Sequence, residues 1–360
     1  MDGRPAADPV DPDELYQRVG FLVLSGAADR AVVIARERLA EAEQEGETAA
    51  VVMLRHSIGM ALGHLRQWEP ALAELAVAAD TAARIEDPAL QAVVWSTTAW
   101  TQARAGRPED GLHEYARAHV VLEQEPPSRA TVVASVNLAM SALQLGLLDI
   151  SRHWFDYAHA NIGQLPDLVR VASVSANESL LDYEQGLTDE HDGRPGAARE
   201  WYERSARNGR RVRDLLVDVP PAPAGPWLLA VGVNQGCCLA KLGDPEGALR
   251  HLDAAMEDLD TQSTLITRAA AHMGRAWAEL AVGDLDACRE HGEAAVRLAD
   301  GIGWSRWQAD THLALARAAD LSGDRAGCAA HEARAADLLA QLDWQARLRR
   351  LGVTIGLRAG

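Results

Sequence analysis

One short pattern returns along this chain of 360 residues at a fixed interval. The stretch LGDPEGALRHLDAA (242–255) is followed forty residues later by VGDLDACREHGEAA (282–295), and after another forty by SGDRAGCAAHEARA (322–335). A period of this length is typical of arrays in which one supersecondary unit stacks on the next. The spacing therefore predicts a repeat protein and argues against a single globular core.

The glycine of this pattern marks the same point in every repeat. Glycine is the residue that most readily ends a helix in the left-handed conformation, and the Asp or Pro that often follows here suits the start of another helix. The marker therefore predicts a turn between two helices, eight times along the chain. Its positions are Gly26, Arg66, Gly106, Gly146, Gly193, Gly243, Gly283 and Gly323.

Small side chains recur at fixed offsets from the marker. Gly or Ala predominates seven residues before it, Ala predominates five and twelve residues after it, and a large residue recurs nine after it in the middle repeats. Two helices approach closely only where side chains are small, and a bulky neighbour then fills the remaining gap. The chain has only five Tyr and two Phe, which also favours helix over sheet. The offsets predict helical hairpins.

This order of small, turn, small, large and small positions resembles the tetratricopeptide repeat, and Trp95, eleven residues before Gly106, matches that family's early Trp. The resemblance covers about residues 13–340. It implies an all-α, right-handed α-solenoid of about eight TPR-like hairpins with a C-terminal capping helix. The period of forty exceeds the family's usual 34, so helices of about 16–17 residues, roughly 25 Å long, are expected. Similar long-helix arrays occur in bacterial regulatory and signalling proteins.

The marker spacing widens in the middle of the chain, to 47 and then 50 residues. The surplus lies around GLTDEHD (186–192) and 208–227, and its segment VPPAPAGP is predicted not to be helical. The expected organisation is a disordered acidic N-terminus at 1–12, a block of five hairpins at 13–218, a Pro-rich joint at 219–226, a block of three hairpins at 227–340, and a capping helix or linker at 341–360.

Composition bears on location and partners. The net charge of −17 opposes binding to nucleic acid, because a negative field repels phosphate. The acidic start of the chain is unlike a signal peptide, and the apolar run GFLVLSG is too short to cross a membrane. The four cysteines form no C-x-x-C motif, which indicates reduced thiols. We therefore expect a cytoplasmic protein with no nucleic-acid or membrane partner.

The sequence offers no defensible catalytic or metal motif. HEYARAH (113–119) has Arg117 where the zinc-protease motif needs a second His, and DEHD (189–192) is interpreted as a solvated cap. Equivalent residues of stacked hairpins lie about 8–10 Å apart, too far for two nitrogens on one zinc at about 2 Å each. Each histidine column is thus predicted to be a solvated ridge, and no metal, cofactor or catalytic residue is expected. The two columns are His251, His291 and His331, eight residues after the marker, and His272 and His312, eleven before it.

The resemblance places the first helix of each hairpin on the concave face. The residue six before the marker then points into a groove, where Trp and Met suit irregular apolar partners. In similar repeat proteins, an Asn near the position nine before the marker holds the backbone of an extended peptide through its paired donor and acceptor, and the resemblance implies this role here. The alternatives are core packing for the two Trp, a local hydrogen bond for the two Asn, and a one-residue error that exchanges groove and core. The candidate groove residues are Met60, Trp100, Asn137, Met140, Asn234, Trp277 and Arg317.

Three functions are compatible with this pattern. The first is a non-catalytic regulatory scaffold that binds a peptide or protein in the concave groove. The second is a ligand-responsive sensor array, such as the sensory part of a diguanylate cyclase or transcription regulator, which binds a peptide or an apolar small molecule and changes its superhelical pitch. The third is an enzyme with the groove as its pocket, which predicts titratable groups within hydrogen-bond reach of one another. The fold alone does not decide among them.

Overall fold

A computed structural model describes the backbone of residues 12–165 and 168–359, with side chains over the same ranges except 12–17, 222–223, 258–262 and 344–359. The acidic N-terminus predicted to be disordered at 1–12 lies, apart from Pro12, outside the described residues. In the described ranges the chain forms sixteen α-helices and one short 3₁₀ helix. The helices pair in chain order into eight hairpins, as the marker predicts.

The bounds of the helices follow the forty-residue period through most of the chain. They are α1 Pro12–Leu24, α2 Ala28–Glu45, α3 Thr48–His64, α4 Trp68–Arg84, α5 Pro88–Arg104, α6 Pro108–Gln124, α7 Arg129–Gln144, α8 Leu148–Ala160, α9 Leu168–His191, α10 Pro195–Leu216, α11 Pro221–Leu242, α12 Pro245–Gln262, α13 Leu265–Val282, α14 Leu285–Ile302, α15 Ser305–Leu321 and α16 Arg325–Ala359, with the 3₁₀ helix Ile162–Gln164. Helices α3 to α6 have 17 residues each, which confirms the predicted length.

The eight marker residues all adopt the left-handed conformation that the sequence predicts. Their φ angles run from 61° at Arg66 to 87° at Gly283. In the turn after α3, the amide of Gln67 donates to the carbonyl of Leu62 and that of Arg66 to Gly63. This hydrogen-bond pair is a Schellman motif, which satisfies the last carbonyls of the first helix before the second begins.

The small and large columns meet inside the hairpins. A Cβ atom added to Gly59 would lie 2.6 Å from Cγ of Leu75, and one added to Gly236 would lie 2.6 Å from Cγ of Leu252. These glycines stand seven residues before the marker, and the two leucines stand nine after it. The large side chain therefore occupies the space that the missing Cβ leaves, which confirms the predicted packing in these hairpins.

The Pro-rich segment does not form the predicted non-helical joint. Helix α11 begins at Pro221 and includes Pro226, so the prediction for 219–226 is wrong from Pro221 onward. Pro221 and Pro223 fall in the first turn of α11, where the amide hydrogen that proline lacks has no intrahelical partner, whereas Pro226 lies inside the helix and removes one of its hydrogen bonds. The surplus residues extend helices: α9 has 24 residues, and α10 and α11 have 22 each. The division of the array into two blocks stays a prediction.

The C-terminal end continues the last hairpin without a break. Helix α16 has 35 residues, about twice the 18 of α14, and also contacts α6. The segment predicted as a capping helix or linker at 341–360 is thus the second half of α16 up to Ala359. One cluster of buried apolar residues extends from Ala92 to Trp307. None of the described helices combines the length and the apolar character needed to span a bilayer.

Candidate functional site

The array folds back on itself, so its concave face is partly enclosed. The turn at Gly26 lies against Ser263, between α12 and α13, where a Cβ atom on Gly26 would be 2.7 Å from the Ser263 carbonyl oxygen. Gln144, at the end of α7, donates from Nε2 to the carbonyl of Gly303 at 3.2 Å. The turns of the first and fourth hairpins therefore contact the connections between the last three hairpins, and the space between them becomes a cavity.

The connection between α14 and α15 inserts into this interior. The indole nitrogen of Trp304 donates to Oε1 of Glu184 at 2.8 Å, and Nε of Arg306 lies 3.1 Å from the other oxygen of the same carboxylate. Trp304 also stacks on Trp307, with ring centroids 4.7 Å apart. Burial raises the pKa of Glu184, and Arg306 and Trp304 partly offset this effect. These contacts hold the C-terminal hairpins against α9.

Two adjoining compartments of about 250 Å³ each form the cavity. They share six lining residues from five helices, so we describe them as one site, the central cavity. Residues that line only the first compartment include Trp100, Met140, Asn234 and Trp307, and residues that line only the second include Phe21, Val133 and Arg170. The shared residues are Leu24, Met60, His64, Asn137, Asn177 and Trp227.

Five of the seven predicted groove residues line the central cavity: Met60, Trp100, Asn137, Met140 and Asn234. They come from four of the first helices of the hairpins, α3, α5, α7 and α11, and none of the five lies on α9. The register taken from the marker therefore brings these residues together on the inner face. Their role in binding stays a prediction.

Trp277 and Arg317 lie elsewhere. The indole nitrogen of Trp277 donates to Asp310 at 2.7 Å, and Nζ of Lys241 lies 3.7 Å above its ring. Arg317 is exposed and pairs with Asp320 at 3.1 Å. In the last two hairpins the cavity is lined by the first turns of α13 and α15, such as Thr267 and Trp307. Positions six before the marker lie farther along these helices, which is why the register fails for them.

Trp277 packs against a buried ion pair between Lys241 and Asp310, which explains why its side chain does not reach the cavity. Lys241, the only lysine of the chain, has a 3% exposed side chain, and its Nζ lies 2.7 Å from Asp310. Although burial alone would raise the pKa of Asp310, Lys241 and His191 lower it to about 2. These residues lie on α9, α11, α13 and α15, so the ion pair and its neighbours join four successive inner helices.

Three asparagines from consecutive inner helices line the cavity: Asn137 on α7, Asn177 on α9 and Asn234 on α11. Asn137 donates from Nδ2 to Thr97 at 3.3 Å, and Asn234 donates to Ser205 at 2.9 Å. The sequence prediction missed Asn177, because α9 is seven residues longer than a standard helix of the array. The position nine residues before Gly193 is therefore occupied by Glu184 and not by an asparagine. The signal that finds it is the interval of forty residues from Asn137.

The described lining of the cavity carries no negative charge, although the chain has a net charge of −17. Among the described residues that line it, none is Asp or Glu. The guanidinium of Arg104 lies 4.5 Å from the centroid of the Trp100 ring, and its Nε and Nη1 have no hydrogen-bond partner in the described part of the chain. Burial and then Arg104 lower the pKa of His64 to about 3, so this lining histidine is neutral at pH 7.

The acidic side chains of the DEHD segment accept hydrogen bonds from nearby residues. Arg194 donates to Asp189 at 2.6 Å and to Asp192 at 2.7 Å, and Tyr202 donates to Glu190 at 2.5 Å. Over residues 12–165 and 168–359, no group of three or more His, Cys, Asp or Glu side chains has the arrangement of a metal site.

Solved structures with a similar fold support the class of protein. A Rap protein complexed with Competence and Sporulation Factor matches with a TM-score of 0.57 and 12% identity, over 93% of this chain and 100% of the other. The apo form of the quorum sensor NprR from B. thuringiensis matches with a TM-score of 0.50 and 11% identity, over 92% of this chain and 89% of the other. No protein-family model and no curated protein sequence matches the chain.

The fold and these comparisons define a helical-repeat solenoid. More particularly, the chain has a tetratricopeptide-type array of eight hairpins that closes around a central cavity.

Proposed function

We propose that this protein is a regulatory binding module that holds a short peptide or an extended protein segment in the central cavity. One observation carries the proposal: Asn137, Asn177 and Asn234 line one apolar cavity from three consecutive helices. A carboxamide offers both a donor and an acceptor, so a row of them matches the repeating amide groups of an extended backbone. The Nδ2 contact to Thr97 holds the amide of Asn137 in place before any ligand arrives. Asn234 donates both Nδ2 hydrogens to Ser179 and Ser205, which fixes its amide and leaves Oδ1 to accept from a ligand.

The lining of the cavity defines the side chains that such a ligand carries. Trp100, Met60 and Met140 supply large, adaptable apolar surface. Because the described lining has no carboxylate, a basic side chain would lose its hydration without gaining a partner. The expected ligand is therefore apolar and either neutral or acidic. The solved Rap protein with its bound factor has the same fold, which supports the proposal without identifying the ligand.

A sensor function is the second candidate, and the α14–α15 connection favours it. Trp307 lines the cavity while its stacking partner Trp304 holds α9 through Glu184. A ligand that displaces Trp307 would therefore act on the contact that keeps the array closed. Binding would change the superhelical shape, and the chain would report occupancy to a partner. An apolar small molecule would produce the same response.

The test is selective retention from pooled short synthetic peptides, read by mass spectrometry after size-exclusion separation. The wild-type protein should retain a subset rich in apolar residues and poor in Lys and Arg. Trp100→Ala and Asn177→Ala should lose that subset. Asn161→Ala is the matched control, because this amide donates to the Tyr157 carbonyl and does not line the cavity.

The proposal fails if no peptide is retained above the level of Trp100→Ala, or if Asn161→Ala and Asn177→Ala behave alike. Scattering in the presence of a retained peptide separates the two candidates. A changed radius of gyration supports the sensor, and an unchanged radius with full occupancy supports the scaffold.

A further inference from the structure

One pair of positions faces across the inside of several hairpins. The residue eleven before the marker lies on the first helix, and the residue eight after it lies on the second helix. In the second hairpin an ion pair occupies these positions, with Nη1 of Arg55 2.7 Å from Oε2 of Glu74. The two positions are therefore close enough for direct contact between side chains.

Histidines occupy both positions in the last two hairpins. Nδ1 of His272 lies 2.8 Å from Nδ1 of His291, and Nδ1 of His312 lies 3.0 Å from Nδ1 of His331. Histidines of one column belong to different hairpins, which are too far apart to share a metal ion. A pair made of one residue from each column lies within a single hairpin, and the structure shows that arrangement twice.

The distances fit two ligands of one metal ion. Two nitrogens, each about 2.05 Å from a metal and at right angles to one another, lie about 2.9 Å apart. Right-angled coordination by nitrogen and water is the tetragonal geometry of Cu²⁺ and Ni²⁺, whereas tetrahedral Zn²⁺ would need a separation of about 3.3 Å. The imidazoles of each pair are hydrogen-bonded to one another, and their separations of 2.8 and 3.0 Å are closer to the tetragonal value than to the tetrahedral one.

A carboxylate orients one of the ligands. Nε2 of His291 lies 3.5 Å from Oε1 of Glu279, and Nε of Arg275 donates to the same oxygen at 2.9 Å. Metal-binding histidines commonly donate their second ring nitrogen to a carboxylate, which leaves the lone pair of the first nitrogen for the metal. Glu279 therefore favours the tautomer of His291 whose Nδ1 lone pair faces His272.

We propose that His272–His291 and His312–His331 are two equivalent binding sites for a divalent transition-metal ion of tetragonal preference, Cu²⁺ or Ni²⁺. Each site supplies two Nδ1 ligands, and water completes the coordination. No third His, Cys, Asp or Glu joins either pair within the described residues. A bound ion would cross-link α13 to α14 and α15 to α16, and would stabilise those hairpins by mass action.

Titration calorimetry of the tag-free full chain with NiCl₂ and with CuCl₂ tests the proposal. The wild type should bind about two equivalents at the paired sites, one for each pair, with at least tenfold tighter affinity than the variant His272→Ala/His312→Ala. The single variant His272→Ala should retain one equivalent. Electron paramagnetic resonance of the Cu²⁺ form should show coordination by nitrogen.

The chain offers its own control. His251 belongs to the same column as His291, but the position facing it is Gly232. His251→Ala should therefore leave the stoichiometry unchanged. No atom lies within 4 Å of a Cβ atom placed on Gly232, so Gly232→His should create a third pair and add one equivalent.

Loss of folding in the alanine variants would be detected by circular dichroism, and Gly232→His then tests the same geometry by gain of binding. The proposal is overturned if the double variant binds as many ions as the wild type with equal affinity, or if Gly232→His adds none.

Discussion

Arg66 is the one marker residue that is not glycine, and it adopts the left-handed conformation with φ of 61°. Its Cβ atom makes this conformation costly for an L-residue, whereas glycine adopts it freely. The other seven turns use glycine at this position. The second turn of the array therefore stores backbone strain that its equivalents lack.

Replacing this residue should stabilise the protein. Arg66→Gly is expected to raise the free energy of unfolding by about 1 kcal/mol, because the backbone strain is removed. Arg66→Ala is the control, since it removes the same side-chain contacts and keeps the strain. Denaturant unfolding of both variants gives the comparison, and equal midpoints would contradict the assignment of strain.

His56 gives a second prediction at this scale. Its imidazole is fully buried, Nε2 lies 2.8 Å from Thr97, and burial lowers its pKa from 6.5 to about 4. Between pH 6.5 and about pH 4, His56 is protonated in the unfolded chain but neutral in the folded chain. The free energy of unfolding that neutral His56 contributes above pH 6.5 is therefore lost progressively as the pH falls toward 4.

Between pH 7 and pH 5 the wild type should lose about 2 kcal/mol more stability than His56→Gln. The difference between the two proteins removes the contributions of the other titrating groups. Chemical denaturation at several pH values measures it, and parallel pH profiles would refute the assigned pKa.

At the scale of the helix and the hairpin, steric exclusion made the structure predictable. The eight turns, the helix lengths and the contact between small and large columns follow from residue size at fixed offsets. The predictions failed where a helix gained or lost whole turns. Helix α9 has seven residues more than a standard helix of the array. Asn177 therefore still faces the cavity but does not stand nine residues before its turn glycine, as Asn137 and Asn234 do. The Pro-rich segment was misjudged because Pro221 and Pro223 fall in the first turn of α11, where proline is tolerated, and the helix also accommodates Pro226 in its interior.

Gly236 allows a direct test of the hairpin packing. A methyl group at this position would overlap Leu252, so Gly236→Ala should cost about 1–3 kcal/mol of stability. Gly232→Ala, one turn earlier on α11, meets no atom within 4 Å and should be neutral or stabilising by up to about 1 kcal/mol. Denaturation midpoints provide the measurement. A loss of similar size in both variants would mean that helix propensity, and not contact with Leu252, determines the effect.

At the scale of the whole molecule, sequence periodicity did not predict how distant hairpins contact one another. Contacts between distant hairpins, such as Gln144 with Gly303 and Trp304 with Glu184, join residues that share no repeat register. Five of the seven predicted groove residues line the central cavity, because the inner face of each first helix depends only on local phase. Trp277 and Arg317 do not line it, because the last hairpins meet the cavity with their first turns.

Closure of the array should depend on Trp304. Trp304→Ala removes both the stacking on Trp307 and the hydrogen bond to the buried Glu184. We expect a larger radius of gyration by small-angle scattering and a loss of about 3–5 kcal/mol in stability. Leu321→Ala, an exposed position on α15, is the matched control. An unchanged radius in Trp304→Ala would show that other contacts are sufficient for closure.

The placement of Lys241 makes amine acylation a reporter of unfolding. The chain has a single lysine, and its amine is held between Asp310 and the face of Trp277. A reagent that acylates lysine should therefore spare this side chain while the four inner helices around it stay together. The rate at which a mass increment appears on Lys241 would measure how often those helices separate, without any introduced label.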